Sequence, residues 1–195
     1  LNKTQLSQLN DLKKIYKDLN KNVNVISRKS IDNINVFHIL HSLSINKIIE
    51  FKRSTNIMDL GTGGGFPGIP LAITNPNVNF TLVDSIKKKT DIVNTVSTIL
   101  DLNNVKVLNL RAENVEEKYD FIVSRAVTNM RGFLKLTKDK LQQKSINELK
   151  NGIIYLKGGD LSKEMKGIIH NEYSISNFFT EDYFETKKII YIKST

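Results

Sequence analysis

The segment IMDLGTGGGFPGIPLA, residues 57–72, gives the strongest indication of how this chain folds. In it, an apolar run and an acid are followed by a cluster of glycines. Five glycines stand within eight residues, at Gly61, Gly63, Gly64, Gly65 and Gly68. Glycine loses more conformational freedom on folding than any other residue, so such a cluster is favoured where the backbone turns sharply or approaches a ligand closely. The segment therefore predicts a buried strand followed by a ligand-binding loop.

Short apolar runs alternate with amphipathic segments around and after this loop. The pattern predicts strands at residues 56–60, 79–84, 105–110, 119–124 and 152–157, and helices at residues 66–75, 87–102 and 130–141. This alternation is typical of an α/β, Rossmann-like fold whose mostly parallel sheet carries helices on both faces. Two strand-like runs without a helix between them, residues 173–180 and 187–194, predict an antiparallel hairpin that closes the sheet edge.

Apolar residues also recur at helical spacing before the loop, from Leu6 to Leu19 and again from Ile34 to Phe51. We expect residues 1–51 to form an N-terminal helical cap and residues 52–195 to form the core, the two making one structural unit. A length of 195 residues suits one well-cored α/β domain with such an appendage.

Composition excludes several kinds of site. The chain has no cysteine, which removes thiolate metal sites and cysteine nucleophiles, and His38 and His41 have no carboxylate near them in sequence, so we expect no metal site. No apolar run reaches about 18 residues and no signal peptide is recognisable, so we expect a cytoplasmic protein without a membrane partner. The net charge of +9 fits a polyanionic partner, although a general drift toward Lys, Asn and Ile explains it equally well.

Two ligands compete for the glycine loop, a dinucleotide and S-adenosylmethionine. The dinucleotide pattern G-x-G-x-x-G is met from Gly63, but this register begins too late after the strand and contains Pro67. Counting from Gly61 instead places Phe66 where the third, helix-packing glycine belongs. Both registers therefore disfavour a dinucleotide.

Acids at the strand ends favour S-adenosylmethionine. Asp59 lies two residues ahead of Gly61, and a carboxylate about 5 Å from a pyrophosphate costs on the order of 3 kcal/mol at an effective dielectric of about 20. The same carboxylate attracts the ammonium and sulfonium groups of S-adenosylmethionine. Asp84 ends the next predicted strand, where a carboxylate binds the ribose hydroxyls of an adenosine, and Ala112 and Glu113 follow the third strand, in a position to flank the adenine.

Taken together, the segments IMDLGTGGGFPGIPLAI, FTLVDSIKKK, LRAE, DFIVSRAV and GIIYLKGGD resemble the bacterial 16S rRNA (guanine-N7)-methyltransferases, also named the glucose-inhibited division protein B family. The resemblance extends over nearly the whole chain. It implies a class I S-adenosylmethionine-dependent methyltransferase fold with a seven-stranded sheet, and methyl transfer to N7 of a guanosine in small-subunit rRNA near the decoding site.

By position, the resemblance implies cofactor contacts at Gly61, Phe66, Ala112, Glu113 and Arg125, and the predicted set is completed by the loop glycines Gly63 and Gly65 and the acids Asp59 and Asp84. The family often has leucine where Phe66 stands and aspartate where His41 stands. The first difference keeps an apolar side chain, whereas the second leaves position 41 without a predicted role.

Methylation of guanine N7 needs no general base, because this nitrogen carries a free lone pair and no proton. Catalysis then rests on positioning, which can supply roughly 7 to 11 kcal/mol. Arg125, which follows the fourth predicted strand, is the predicted positioning residue, and the missing cysteine disfavours methylation of a pyrimidine carbon. RNA contacts are predicted at Lys157, Arg28, Arg131, Lys87 and Lys88.

Other functions are also compatible with this sequence. The same loop suits a methyltransferase that acts on another RNA, on a protein or on a small molecule, and a nicotinamide oxidoreductase or an RNA-binding domain without turnover is a more distant alternative. The predicted partner is 16S rRNA or the small ribosomal subunit, and we expect a monomer without an obligate protein partner.

Overall fold

The computed structural model describes residues 1–21 and 25–194, the side chains of residues 28 and 29 excepted. Its strands are β1 (Asn56–Leu60), β2 (Asn79–Asp84), β3 (Val105–Asn109), β4 (Phe121–Arg125), β5 (Gly152–Gly158), β6 (Asn171–Ser174) and β7 (Lys187–Lys193). They form one seven-stranded sheet in the order β3-β2-β1-β4-β5-β7-β6. Strand β7 runs antiparallel to β5 and β6, and the other neighbouring pairs are parallel. The predicted mostly parallel sheet with an antiparallel C-terminal edge is confirmed.

The helices cover both faces of this sheet. They are α1 (Lys3–Leu19), α2 (Arg28–Ile31), α3 (His41–Leu43), α4 (Gly68–Thr74), α5 (Lys87–Ile99) and α6 (Met130–Thr137). Side chains of the central strands alternate between two buried layers, because successive residues of a strand point to opposite faces. Ile57 and Phe121 belong to the layer with α4 and α5, whereas Met58 and Ile122 belong to the layer with Phe133 of α6.

Helix α1 has a well-formed start and a fixed position on the core. The side chain of Asn2 accepts the amide of Gln5 at 2.9 Å, and the side chain of Gln5 accepts the amide of Asn2, which makes a capping box. The Gln5 amide nitrogen also donates to the carbonyl of Ile73 at 3.0 Å, at the end of α4. The hydrogen bond joins the first helix to the helix that follows the glycine loop.

The segment between α2 and β1 is helical but irregular. Asn35–Leu40 is π-helical, α3 follows it directly, and Ser44–Lys47 is a 3-10 helix. Leu12 and Tyr16 of α1 are buried in the same apolar cluster as Phe66 of the glycine loop. The N-terminal segment and the sheet thus share a hydrophobic core, while a domain boundary at residue 51 stays a prediction.

Several predicted boundaries are wrong. The strand predicted over residues 173–180 ends at Ser174, because Ile175 turns into the core and the amide of Phe178 donates to its carbonyl at 2.9 Å. Strands β6 and β7 are therefore joined by a long connection rather than by a tight turn, and β6 forms the edge. The predicted helices over residues 34–51, 87–102 and 130–141 also end three to four residues early.

Among the described residues, no helix combines the length and the apolar character that crossing a bilayer requires.

Candidate active site

The glycine loop leaves the carboxyl end of β1 in a series of tight turns. Gly61 and Gly63 have φ angles of +72° and +58°, which residues with a side chain rarely adopt. The amides of Gly61 and Thr62 both donate to the carbonyl of Val83 in β2, at 2.8 and 3.0 Å. A Cβ atom at Gly61 would overlap the side chain of Val127. Glycine is therefore required at position 61 both by its backbone angle and by its close neighbour.

Asp59 lies completely buried beneath this loop. Its Oδ2 accepts the hydroxyl of Thr62 at 2.6 Å and the amide of Gly68 at 2.8 Å, so the carboxylate holds both ends of the loop. Its Oδ1 accepts no hydrogen bond from any described residue. Burial raises the pKa of Asp59 to about 6, although the bonds from Thr62 and Gly68 oppose the shift. Asp59 organises the loop and places a negative charge behind it.

Asp84 holds the other side of the loop from the end of β2. Its Oδ2 accepts the amide of Gly63 at 3.0 Å, and its Oδ1 accepts the amide of Ile86 at 2.9 Å. The ammonium of Lys89 lies 4.0 Å from Oδ2. An ionised carboxylate has about four acceptor positions, so the two backbone bonds orient Asp84 and leave room for ligand hydroxyls.

A cavity of about 470 Å³ opens beside the loop, at the carboxyl ends of the first three strands. Open α/β sheets bind ligands at this edge, and the volume lies in the range of small-molecule sites. The cavity lining includes seven of the nine predicted cofactor contacts, namely Gly61, Gly63, Phe66, Asp84, Ala112, Glu113 and Arg125. Asp59 and Gly65 are outside the lining, Asp59 beneath the loop and Gly65 packed near Ile69, whose Cγ1 would lie 2.7 Å from a Cβ at position 65.

Tyr16 connects the N-terminal segment to the loop. Its hydroxyl donates to the carbonyl of Gly64, and its ring centroid lies 5.1 Å from that of Phe66. Tyr16 is fully buried, and this burial raises the pKa of its hydroxyl well above the ordinary value, so the group stays protonated and donates. Helix α1 thereby supports the loop from behind.

Arg125 ends β4 and forms a wall of the cavity. Its Nη1 donates to the carbonyl of Phe37 at 2.9 Å, and its Nη2 lies 2.7 Å from Nδ1 of His38. The guanidinium carbon is 5.5 Å from the ring centroid of Phe66, within the range of a cation–π contact. Burial lowers the pKa of Arg125, yet a guanidinium remains charged in proteins. Arg125 thus fastens the π-helical segment to the carboxyl edge of the sheet.

A second cavity, of about 690 Å³, shares Arg125 and Ala126 with the first. Phe37 and Tyr183 form one wall of it, with their rings stacked 4.3 Å apart. Ala126 has a φ of +57°, an uncommon conformation for alanine, at the point where the two cavities meet. Two ligands in these cavities would be neighbours across the end of β4.

Two histidines from the N-terminal segment line the second cavity. Nδ1 of His38 faces Arg125, and Nδ1 of His41 lies 3.3 Å from the hydroxyl of Tyr183. Burial, with the charge of Arg125, lowers the pKa of both histidines to about 3, so both are neutral at pH 7. Neither has the pKa near neutrality that suits a general base.

Lys157, at the end of β5, also lines the second cavity and is held in place there. Its ammonium lies 2.7 Å from Oε1 of Glu164 and 3.0 Å from the carbonyl of Thr128. The same Glu164 oxygen accepts the amide of Met130, at the start of α6, at 2.6 Å. Only 11% of the Lys157 side chain is exposed. Its contact with an RNA phosphate stays a prediction.

Three of the other predicted RNA contacts, Lys87, Lys88 and Arg131, lie outside the two cavities. Lys87 and Lys88 are exposed at the start of α5, where Lys87 pairs with an acid of the same helix at 2.8 Å. Lys89, the third lysine of the same basic run, lines the first cavity. Arg131 is exposed on α6 and donates to a backbone carbonyl at 2.8 Å. The side chain of Arg28 lies outside the described residues.

The second cavity and its lining residues Phe37, Glu164 and Tyr183 were not predicted from the sequence. These residues are far apart in sequence and belong to no recognisable motif. The order and direction of the strands were the one signal in the sequence that could have indicated this cavity. An antiparallel β7 must begin at the edge where β5 ends, so residues just after β5 and just before β7 meet beside the end of β4.

Comparison with known protein families agrees with this geometry. The family model described as rRNA small subunit methyltransferase G matches residues 5–183. The chain belongs to this family. It is 51% identical to "Ribosomal RNA small subunit methyltransferase G" of Flavobacterium psychrophilum, over 98% of this chain and 92% of that protein. It is 50% identical to the protein of the same name from Christiangramia forsetii, over 96% of this chain and 90% of that protein.

Solved structures confirm the fold. A SAM-dependent methyltransferase from Aquifex aeolicus superposes with a TM-score of 0.63 at 14% identity, over 87% of this chain and all of that chain. A mutant of MtNAS in complex with S-adenosylmethionine superposes with a TM-score of 0.61 at 14% identity, over 98% of this chain and 76% of that chain. This member of the rRNA small subunit methyltransferase G family thus has the class I methyltransferase fold.

Proposed function

We propose that this chain transfers a methyl group from S-adenosylmethionine to N7 of a guanosine in 16S rRNA near the decoding site. Family membership makes it an S-adenosylmethionine-dependent rRNA methyltransferase. The observation that carries the finer proposal is the wall of Arg125 and Ala126, which both cavities share. This arrangement supports a cofactor in the first cavity and an acceptor base beside it in the second.

The residues of the first cavity fit this cofactor. When bound, S-adenosylmethionine supplies a methyl group activated by a positively charged sulfur. Asp84 would bind the ribose hydroxyls with the acceptor positions that Gly63 and Ile86 leave unused. Asp59 is buried behind the loop, and its Oδ1 accepts no hydrogen bond from the part of the chain that the structure describes. It supplies a negative charge that favours a cationic ligand over a pyrophosphate.

The second cavity suits a purine. The stacked rings of Phe37 and Tyr183 offer an aromatic wall, and stacking of a base on an aromatic side chain is worth about 1–3 kcal/mol. Lys157 and Lys187, with Arg125, give this cavity a positive lining that favours an RNA strand. A guanine held there would turn N7 toward the shared wall.

In the proposed reaction, this chain positions the methyl donor and the acceptor base, and it does not need to transfer a proton. Guanine N7 carries a free lone pair, so no proton has to be removed before it accepts a methyl group. The neutral His38 and His41 agree with this, because neither has the pKa of a general base at pH 7. Arg125 is held by Phe37 and His38, so it positions the two ligands, an effect that can supply roughly 7 to 11 kcal/mol.

The substrate in this proposal is 16S rRNA or the assembled small subunit. A net charge of +9 supports association with such a polyanion. An enzyme with this substrate works in the cytoplasm, and we propose that it acts as a monomer, since both cavities are lined by one chain.

The first test is the nucleoside composition of 16S rRNA from cells with and without the gene. We expect loss of one 7-methylguanosine, and its recovery when small subunits from the deletion strain are incubated with purified protein and S-adenosylmethionine. An unchanged nucleoside profile, together with no transfer to those subunits, would overturn the proposal.

A matched pair of variants tests the cofactor site. Asp84→Asn removes a charged acceptor from the first cavity, whereas Asp91→Asn breaks the exposed pair with Lys87 at 2.8 Å, outside the cavity. We expect Asp84→Asn to weaken S-adenosylmethionine binding about 10- to 100-fold, since hydrogen bonds to charged groups are worth about 1.5–3 kcal/mol. Asp91→Asn should leave calorimetric affinity unchanged. Equal affinities for both variants would place the cofactor elsewhere.

A further inference from the structure

We infer that Glu164 determines the specificity for guanine by accepting hydrogen bonds from the N1–H and 2-amino groups of the base in the second cavity. The inference rests on the proposed function, because it requires the acceptor base to occupy that cavity. Its evidence is the chemistry of the base edges together with the lining and hydrogen bonds of the cavity.

Transfer to N7 determines how a guanine must lie. N7 and O6 share one edge of the base, while N1–H and the 2-amino group lie away from N7. When N7 faces the wall of Arg125 and Ala126, the N1–H and 2-amino donors therefore face the rest of the cavity. Adenine also has an N7, but it has a bare N1 and no 2-amino group. An acceptor placed on that side selects guanine.

Glu164 supplies the only carboxylate among the described residues that line this cavity. The other ionisable groups of the lining are the cations Arg125, Lys157 and Lys187, which only donate, the histidines His38 and His41, whose low pKa keeps them neutral, and the hydroxyl of Tyr183, whose pKa burial raises. A single carboxylate in a cationic cavity is the acceptor that suits two neighbouring N–H donors.

The carboxylate of Glu164 is already oriented. Its Oε1 accepts the amide of Met130 at 2.6 Å and the ammonium of Lys157 at 2.7 Å, whereas Oε2 accepts no hydrogen bond from the described residues. About a quarter of the side chain is exposed. Although burial opposes it, the bonds from Lys157 and Met130 hold the pKa of Glu164 below its ordinary value, so the group is an ionised acceptor at pH 7.

The test compares three acceptors and two variants. Small subunits are assembled with 16S rRNA that carries guanosine, inosine or adenosine at the methylated position. Inosine keeps N7, O6 and N1–H but lacks the 2-amino group. Wild type, Glu164→Gln and Glu172→Gln are assayed for kcat and KM on each. Glu172 is the matched control, because it forms an ion pair with Lys188 at the same 2.7 Å but lies on β6, outside the cavity lining.

Wild type and Glu172→Gln should prefer guanosine over inosine about 10- to 100-fold, and over adenosine by more, as expected for a good pair of specific hydrogen bonds. In Glu164→Gln, the donors at Oε1 keep the amide oxygen in place, so the amide NH₂ meets the donors of the base. We expect this variant to lose about 10- to 100-fold in kcat/KM on guanosine, mainly through KM, and to treat guanosine and inosine alike. Its cofactor affinity should match wild type, and cooperative thermal unfolding should show that the variant folds.

Two results would overturn the inference and leave the proposed function intact. One is a wild type that methylates guanosine and inosine equally. The other is a Glu164→Gln variant that loses activity equally on both acceptors, since Glu164 would then act only by holding Lys157. A wild type that fails on guanosine subunits would overturn the proposed function and this inference together.

Discussion

The guanidinium of Arg125 lies 2.7 Å from Nδ1 of His38 and joins the carboxyl end of β4 to the N-terminal helical segment. The same side chain donates to the carbonyl of Phe37 and lies over the ring of Phe66. The two cavities meet at Arg125, so the wall between them is formed by the end of β4 and is fixed to the N-terminal segment by these bonds. The N-terminal segment is therefore part of the candidate active site.

Replacing Arg125 by lysine should damage this wall while keeping its charge. A lysine cannot reach Phe37 and His38 with one rigid fork, so we expect Arg125→Lys to lower kcat/KM on small subunits about 10- to 100-fold. The control is Arg53→Lys, whose wild-type side chain is exposed and bonds Asn77 at 3.2 Å. Full activity of Arg125→Lys in the methyl-transfer assay would contradict the positioning role.

Tyr16→Phe should loosen the glycine loop. The variant leaves the buried carbonyl of Gly64 without its donor, a loss of about 1–3 kcal/mol in the free energy of unfolding. Tyr191→Phe removes a comparable bond, at 2.7 Å to the carbonyl of Lys150, far from the loop. Urea unfolding should show similar losses for both, while calorimetry should show weaker cofactor binding for Tyr16→Phe alone. Equal cofactor affinities would contradict the support of the loop by α1.

A comparison of alanine substitutions at two glycines with similar backbone angles distinguishes the cost of backbone strain from the cost of a steric overlap. Gly61 and Gly159 have φ angles of +72° and +80°, but a Cβ would overlap Val127 at Gly61 and meet nothing within 4 Å at Gly159. Gly159→Ala should therefore cost only the strain, about 1–2 kcal/mol. Gly61→Ala should cost more in urea unfolding and also weaken cofactor binding. Equal losses for the two variants would mean that the loop moves away from Val127 freely.

The buried carboxyl of Asp59 predicts an unusual effect of pH on stability. Its pKa in the folded protein is about 6, above the value of about 3.9 for an unfolded aspartate, so the native state binds the proton more tightly. As pH falls from about 6 toward 4, this group alone increases the free energy of unfolding, and above pH 6 the buried charge costs up to about 3 kcal/mol.

Asp59→Asn removes this titration. The free energy of unfolding of the variant minus that of wild type, from urea titrations, should be about 1 kcal/mol larger at pH 7.5 than at pH 5. The subtraction cancels the contributions of the other carboxyl groups to the pH dependence, because these groups are the same in both proteins. A difference that does not change with pH would show that Asp59 is not a buried titrating group. Cofactor affinity should fall in the variant, since the negative charge behind the loop is lost.

Local sequence patterns were sufficient to predict most of the loop and acids that form the first cavity. β1, the glycine loop and the acid that ends β2 follow one another closely, and glycine spacing, strand periodicity and charge all act between near neighbours. Seven of the nine predicted cofactor contacts line the cavity, although two of them, Phe66 and Arg125, were predicted from the family resemblance. The same local information places Asp59 at the loop, but only the structure shows that its carboxylate is buried beneath the loop rather than exposed in the cavity.

The second cavity was decided by tertiary structure alone. Phe37 and Tyr183 stack although 146 residues separate them, and Glu164 joins them from the loop after β5. Likewise, Ile175 ends the predicted strand because its side chain fills the core. Periodicity reports which face of a segment is apolar, whereas strand order and direction determine which distant segments meet at one edge of the sheet. Local patterns thus predict the glycine loop and the class of fold, whereas long-range packing of the sheet forms the cavity proposed for the acceptor.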